Sequence, residues 1–486
     1  MSLVIDIDQV RREASSLLDS QRRSDLGQYM TPSPIATFMA SLFSFNGQAK
    51  LLDAGAGVGS LTSAFLDKAL QEGTSVDAEA WEIDDILGGY LKNTFDDFIH
   101  HGQGKIKASI HASDFIEDAT LSIQFDGNNR YTHAILNPPY KKISAHSKHR
   151  KLLRMVGIET VNLYTAFVAL TVLLMKQGGE VVAIIPRSFC NGSYYRPFRN
   201  LILRTCSIRQ LHLFESRNQA FRDDAVLQEN LIIHLVKGEQ QGTVIVSTSC
   251  DGKFLDYHQT TFDASAIVKP GDAEQFIHIP TATEQISSPT HCTHTLQDIG
   301  LEVCTGAVVD FRMKDYWRDE PSDNTAPLLY PHHFSDGALC WPKPHKKPNA
   351  LLLTNDVRKW LMPRGHYVLV KRFTAKEERR RLVAYYLPFD ALNAEHIGFE
   401  NHWNIFHIEK HGIDEDTARG IATFLNSTSL DEHFRVFSGH TQVNATDLRN
   451  MRYPSRELLR ILGQRAKDQP NNQDNIDRLI EELEIA

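Results

Sequence analysis

Asn137-Pro138-Pro139-Tyr140 are the residues whose types and spacing most directly suggest chemistry. They follow a short apolar run, Ala134-Ile135-Leu136, that reads as a buried strand. The carboxyl ends of strands are where open α/β sheets place reactive groups. The turn offers two acceptors side by side, the Asn137 side-chain carbonyl and the Pro138 backbone carbonyl. Such a pair suits an exocyclic amine on a planar base, whose lone pair is delocalised into the ring and is a poor nucleophile. Accepting both of its N–H bonds draws the nitrogen towards tetrahedral geometry. Prolines fix φ and bring no competing N–H, so the acceptors stay where charge develops. Tyr140 adds a flat face for a base to stack on, worth roughly 1–3 kcal/mol per base in other systems. Asn-Pro is also an ordinary turn starter, so the tetrapeptide takes its meaning from its surroundings.

Upstream, Leu51-Leu52-Asp53-Ala54-Gly55-Ala56-Gly57-Val58-Gly59 reads as a strand entering a glycine turn and then a helix. Glycines let backbone approach a ligand closely, and a helix N-terminus favours polar or anionic groups. The spacing is G-x-G-x-G, not the G-x-G-x-x-G of dinucleotide binders. Glu82, in Trp81-Glu82-Ile83-Asp84, ends the next strand, where an acid binds ribose hydroxyls. Asp114, in Ala112-Ser113-Asp114-Phe115, follows the third strand and is placed to meet an adenine amine. The candidate cofactor residues are therefore Asp53, Ala54, Gly55, Gly57, Gly59, Glu82, Ile83, Asp114, Phe115 and Asn137. Their order along the chain points to S-adenosylmethionine rather than NAD. From Lys141 to Arg154 there are six Lys/Arg and two His with no acid. Charge runs are usually solvated faces, but this one directly follows the candidate reactive turn. Lys141, Lys142, Lys148 and Arg150 are its candidate contacts to nucleic-acid phosphates.

Strand and helix signals alternate around these motifs. Strands are expected at 50–54, 76–83, 106–111, 131–136, 180–185, 207–214 and 226–236, with helices at 59–70, 85–98, 163–176 and 194–204. Such alternation implies a parallel sheet covered by helices on both faces. Seven strands are counted, and the last two lack an intervening helix, so the final one is expected to insert antiparallel. Beyond residue 245 strands shorten and Pro, His and Trp cluster. The expected organisation is a helical lead-in at 1–25, a catalytic domain at 26–245, a linking segment at 246–300, a second domain at 301–455 and a helical tail at 456–486.

Composition is that of a globular protein, 42% hydrophobic and 23% charged, with a net charge of −8. No apolar run approaches the 18 residues of a membrane span, and the N-terminus lacks a basic-then-apolar leader pattern. Six dispersed cysteines without a CxxC pair argue for a reducing cytoplasm and against a structural zinc site; no metal is expected.

Taken together, these motifs resemble the gamma-class DNA adenine-N6 methyltransferases of bacterial restriction–modification systems. Leu26-Gly27-Gln28-Tyr29-Met30-Thr31-Pro32 matches the cofactor-binding segment that precedes the glycine loop in that class, adding Tyr29, Thr31 and Pro32 to the cofactor candidates. The resemblance implies a seven-stranded, Rossmann-like sheet dependent on S-adenosylmethionine, followed by a mixed α+β target-recognition domain. It implies that a flipped adenine stacks on Tyr140 while a second aromatic covers its other face, Phe221 being the candidate and Phe214 its rival. Asn137, Pro138, Pro139, Tyr140 and Phe221 are thus the candidate catalytic residues. Phe437-Ser438-Gly439-His440-Thr441-Gln442-Val443-Asn444 is similar to a segment of the PstI/BsuBI-type enzymes, whose site is CTGCAG; Gln442 and Asn444 become candidate base readers. The implied partners are double-stranded DNA and a separate cognate restriction endonuclease.

Competing readings remain. A protein glutamine-N5 methyltransferase or an RNA methyltransferase would use the same turn, and a DNA-binding subunit with a degenerate methyltransferase fold would need no activity. The first has no use for the 246–486 stretch or the basic run. A duplex-DNA requirement separates the second. The intact turn and glycine loop oppose the third.

Overall fold

The computed structural model describes residues 3–17, 30–126, 130–214, 229–280, 292–335, 337–374, 378–437 and 442–485. The chain divides into two compact units, Met1–Glu284 and Gln285–Ala486. Among the described residues no helix is long and apolar enough to cross a membrane.

The first unit is built on one large mixed sheet. Its strands are β1 (Gln48–Ala54), β2 (Ser75–Trp81), β3 (Ile106–His111), β4 (Tyr131–Leu136), β5 (Met175–Pro186), β6 (Cys206–Phe214), β7 (Asn230–Lys237), β8 (Val244–Ser249) and β9 (His258–Phe262). Their spatial order is β3-β2-β1-β4-β5-β7-β6-β8-β9. β1 to β5 run parallel, and β7 lies antiparallel between β5 and β6, as expected from the missing helix. The sheet is nine-stranded rather than seven-stranded. β8 adds parallel to β6, and β9 adds antiparallel to β8. The two faces of the sheet read off alternate residues, as the pleat requires. Leu52, Ala134, Leu136 and Ile185 enter one core with Phe115 and Phe167; Leu51, Ile135 and Ile184 enter the other with Phe43 and Phe65.

The expected linking segment, 246–300, is a correction. Its first part forms β8 and β9, and Ile267, Ile277 and Ile279 are buried in the first unit's core. A second correction concerns the helix read to 176. It spans Leu163–Leu174, and β5 starts at Met175, so Gly178 and Gly179 lie inside a strand. The lead-in contains the helix Leu3–Leu17, whose Ala14 packs with Met30, Val58 and Leu87.

The second unit is mixed α+β. A four-stranded antiparallel sheet runs in the order Glu302–Thr305, Trp403–His407, Tyr367–Lys371, Ala384–Leu387. A five-stranded sheet joins the strands Trp317–Arg318, Ala350–Leu352, Thr325–Leu329, His396–Phe399 and Leu361–Pro363. The expected tail is not an appendage. Its helices Arg456–Lys467 and Gln473–Glu482 bury Leu459, Leu462, Leu479 and Ile480 in this unit's core.

Candidate active site

β4 delivers the candidate reactive turn. Its last four residues, His133 to Leu136, are buried, so the strand cannot slide and the turn that follows is fixed in register. Asn137 lies at the carboxyl edge of the sheet, between two hydroxyls. Its Nδ2 donates to Thr31 Oγ1 at 3.0 Å, and its Oδ1 accepts from the Tyr140 hydroxyl at 2.9 Å. The same Tyr140 hydroxyl lies 3.1 Å from the Ile184 carbonyl oxygen on β5. Behind Tyr140 stands a tyrosine cluster that the sequence pattern did not single out. Tyr164 meets the Tyr140 ring edge-on at 6.2 Å between centroids. Tyr164 and Ser188 share a hydroxyl–hydroxyl bond of 3.0 Å, and Asn162 Nδ2 donates to Tyr195 Oη at 2.6 Å. Only chain proximity over Leu163–Tyr195 could have hinted at it.

Asn137 and Pro139 also line a cleft of about 380 Å³ above the edge of β1, β2 and β4. Thr31, Gly55, Gly57, Glu82, Ile83, Asp114 and Phe115 line it as well, joined by Met30, Trp81 and Phe167. Gly55, Gly57 and Gly59 have φ of +82°, +59° and +90°, a region other residues rarely enter. Gly59 works behind the cleft. It starts the helix Ser60–Gln71, and a Cβ there would lie 2.9 Å from Leu91 Cδ1. Asp53, Ala54 and Pro32 likewise stand behind the lining rather than in it.

The acids are arranged by environment. Burial pushes the Asp53 carboxyl up to about 7, opposed by its bond from Thr62 and assisted by nearby Glu82. Glu82 is also raised by burial, while its oxygens accept the Gly57 and Asp84 N–H groups at 2.8 Å each. It thereby braces the glycine turn as well as lining the cleft. Asp114 Oδ1 caps the helix Phe115–Leu121 by accepting from Ile116 and Glu117 N–H. Its Oδ2 lies 2.8 Å from His149 Nε2. Burial works to raise the Asp114 pKa, but the His149 bond and charge, together with the Glu117 and Ile116 N–H bonds, outweigh it and hold the carboxyl below the usual range. Asp114, Glu117 and His149 lie as close together as the ligands of a cation would; each is already engaged, Glu117 by Lys148 at 2.6 Å.

The basic run divides into an exposed strap and a short helix. Lys141 and Lys142 are exposed at the cleft mouth, on a strap tied by Ile143 N–H to Val161 O at 2.7 Å and Leu163 N–H to Lys141 O at 2.8 Å. Lys148 to Met155 form a helix capped by Ser147. Arg150 is a correction to the expected phosphate contact. It is 8% exposed, pairs with Glu159 and donates to the Thr160 carbonyl, so it holds the strap's return. Asn444 is a second correction. It caps the helix Ala445–Asn450 reciprocally with Asp447, the Asn444 N–H donating to Asp447 Oδ2 at 2.8 Å. Gln442 is half-buried beside Phe373, with which it forms a β-bridge. Phe214 is buried against His212 and Phe254, so its ring is part of the core. Phe221 and Tyr29 lie outside the described residues.

The family model for the Eco57I restriction-modification methylase matches residues 61–221. Over its length the chain is 49% identical to type II methyltransferase M.BsuBI of Bacillus subtilis, covering 98% of this chain and 97% of the relative. It is 42% identical to type II methyltransferase M.PstI of Providencia stuartii, covering 99% and 97%. A solved DrdV–DNA complex has a similar fold, with a TM-score of 0.52 and 12% identity, over 95% of this chain and 58% of that one.

Proposed function

The chain belongs to the restriction–modification methyltransferases of the PstI/BsuBI type, and from that premise we propose that it methylates adenine N6 in duplex DNA, using S-adenosylmethionine. The observation that carries this reading is that Asn137 belongs to two sites at once. Its side chain borders the cleft and heads the Asn-Pro-Pro-Tyr turn.

The residues of the cleft suit that cofactor. Gly55 and Gly57 let backbone come close, Ile83 and Phe115 offer apolar walls, and Glu82 and Asp114 supply acceptors for hydroxyls and an amine. Ser60 Oγ, in the cleft lining, is buried without a hydrogen-bond partner, a polar capacity that a bound ligand can use. When bound, S-adenosylmethionine supplies an electrophilic methyl group.

The chain's own residues do the rest. An adenine must leave the duplex stack, at a cost of a few kcal/mol, and stacking on Tyr140 and on Phe221 offsets it. Asn137 Oδ1 and the Pro138 carbonyl then accept the two amine N–H bonds, which releases the nitrogen lone pair for attack. Positioning is the main contribution, and the proton leaves after the nitrogen has become cationic. Lys141 and Lys142 meet phosphates beside the flipped base. The second unit reads the sequence, with Gln442 as a candidate base contact, CTGCAG as the proposed site and a cognate restriction endonuclease as the partner in the cell.

Asn137→Ala tests the assignment. Methyl transfer to duplex DNA should fall about 10²–10³-fold, the loss typical of removing one oriented hydrogen-bonding group from an active site. Cofactor affinity, measured by titration calorimetry, should stay within a few-fold. Near-normal turnover would sink the assignment.

A further inference from the structure

The Thr31 hydroxyl, set in the wall of the cofactor cleft, is joined to the amide of Asn137 across 106 residues of sequence. We infer that Thr31 is a positioning residue for catalysis, pinning the Asn137 amide in place beside the target amine. This rests on the function proposed above.

The need for such a device follows from the chemistry of an amide. The terminal torsion of an asparagine is broad and roughly two-fold, so the amide plane swings unless a neighbour pins it. Adenine N6 methylation requires the oxygen to face the amine. The Thr31 hydroxyl can accept or donate, so it pins the plane of the amide while the donor amine selects the oxygen end. Tyr140 cannot hold the orientation throughout. Its single hydroxyl proton lies within reach of both Asn137 Oδ1 and Ile184 O, and an incoming amine takes over Oδ1. The bond from Nδ2 to Thr31 Oγ1 does not compete with the amine and survives arrival of the base.

Thr31 is built to stay in place. It is 3% exposed. Pro32 follows it and starts the helix Ser33–Ser41, accepting the Ala36 N–H at 3.0 Å. Residue 33 is held in turn by its N–H to Asp8 Oδ1 at 3.3 Å. On its other side, Met30 packs with Ala14, Val58 and Leu87. The segment ahead of the glycine loop thus serves the reacting base as well as the cofactor.

Two near-isosteric variants separate the hydroxyl from the packing. Thr31→Val keeps the shape and removes the acceptor; Thr31→Ser keeps the acceptor and removes the methyl. Single-turnover methyl transfer to mixed-sequence duplex DNA, at saturating S-adenosylmethionine, is measured for both, alongside cofactor affinity by calorimetry. At saturating S-adenosylmethionine the rate of Thr31→Val should fall about five- to tenfold, the size of one ordinary hydrogen bond. Thr31→Ser should restore most of the rate. A Thr31→Ser variant slower than Thr31→Val would make the role one of packing and overturn the inference. So would a Thr31→Val variant that loses cofactor affinity at an unchanged saturated rate. Asn137→Ala, run beside them, distinguishes the two levels. If it is inactive while Thr31→Val keeps the wild-type rate, only this inference fails; if it is active, the proposed function fails first.

Discussion

At the scale of single residues, Tyr140 has two separable parts. Its ring offers a stacking face, while its hydroxyl bridges Asn137 Oδ1 and Ile184 O in the structure. If stacking is its main service, Tyr140→Phe should keep methyl transfer within about fivefold of wild type, since one net hydrogen bond is at stake. Tyr140→Ala should lose about 10-fold or more, as roughly 1–3 kcal/mol of base stacking disappears. Equal losses for both variants, measured by single-turnover rates, would contradict that division. The turn itself was legible because its chemistry is written in four adjacent residues. The Thr31 link was not, since an acceptor 106 residues away leaves no local pattern. Arg150 misled for a related reason. It stands in a run of cations, and only the fold reveals that it is buried with Glu159 and Thr160 as partners.

Among the elements, the strap and helix after the reactive turn carry the next prediction. The strap passes the cleft mouth, and the helix Lys148–Met155 is fastened to the cofactor wall by His149 with Asp114 and Lys148 with Glu117. The hydrogen bond and charge of Asp114 raise the His149 pKa against the opposing effect of burial, while Asp114 is lowered. The raised histidine contributes in full below its ordinary value near 6.5 and loses its contribution as pH rises through the folded value. The lowered aspartate loses its share only when pH falls through its own depressed value. Between those limits the fastening is strongest. Hydrogen-exchange protection factors for 148–155 should therefore fall as pH is raised above neutrality, and His149→Gln should flatten that dependence. Protection that is independent of pH in the wild type would contradict the account. This helix escaped the sequence reading because basic residues hid its buried side, Arg150 and Leu153. The apolar stretches of β1, β4 and β5 were legible because central parallel strands carry continuous apolar runs between helical periods. β8 and β9 were not, since Ser, Thr and His fill many of their positions and the exposed β9 offers no clean alternation.

Across the whole molecule, the sequence pattern placed the passage from a first domain to a second within 246–300, and the first unit ends inside that range, at Glu284. Composition changes near residue 245, whereas the first unit continues to Glu284, because core membership depends on what Ile267, Ile277 and Ile279 pack against and not on local texture. The same holds for the C-terminal helices. Their amphipathic spacing revealed an apolar face, but only the fold shows that this face is buried in the second unit's core. Asn444 looks like an adenine-reading side chain in sequence and serves as a helix cap in the structure. The central claim is nevertheless simple to test. Labelled S-adenosylmethionine is incubated with the protein and mixed-sequence duplex DNA, followed by nucleoside analysis and mapping of the modified sites. The account predicts label in N6-methyladenine at one short motif, with CTGCAG the proposed sequence. Label in RNA or in protein glutamine, with none in duplex DNA, would contradict it.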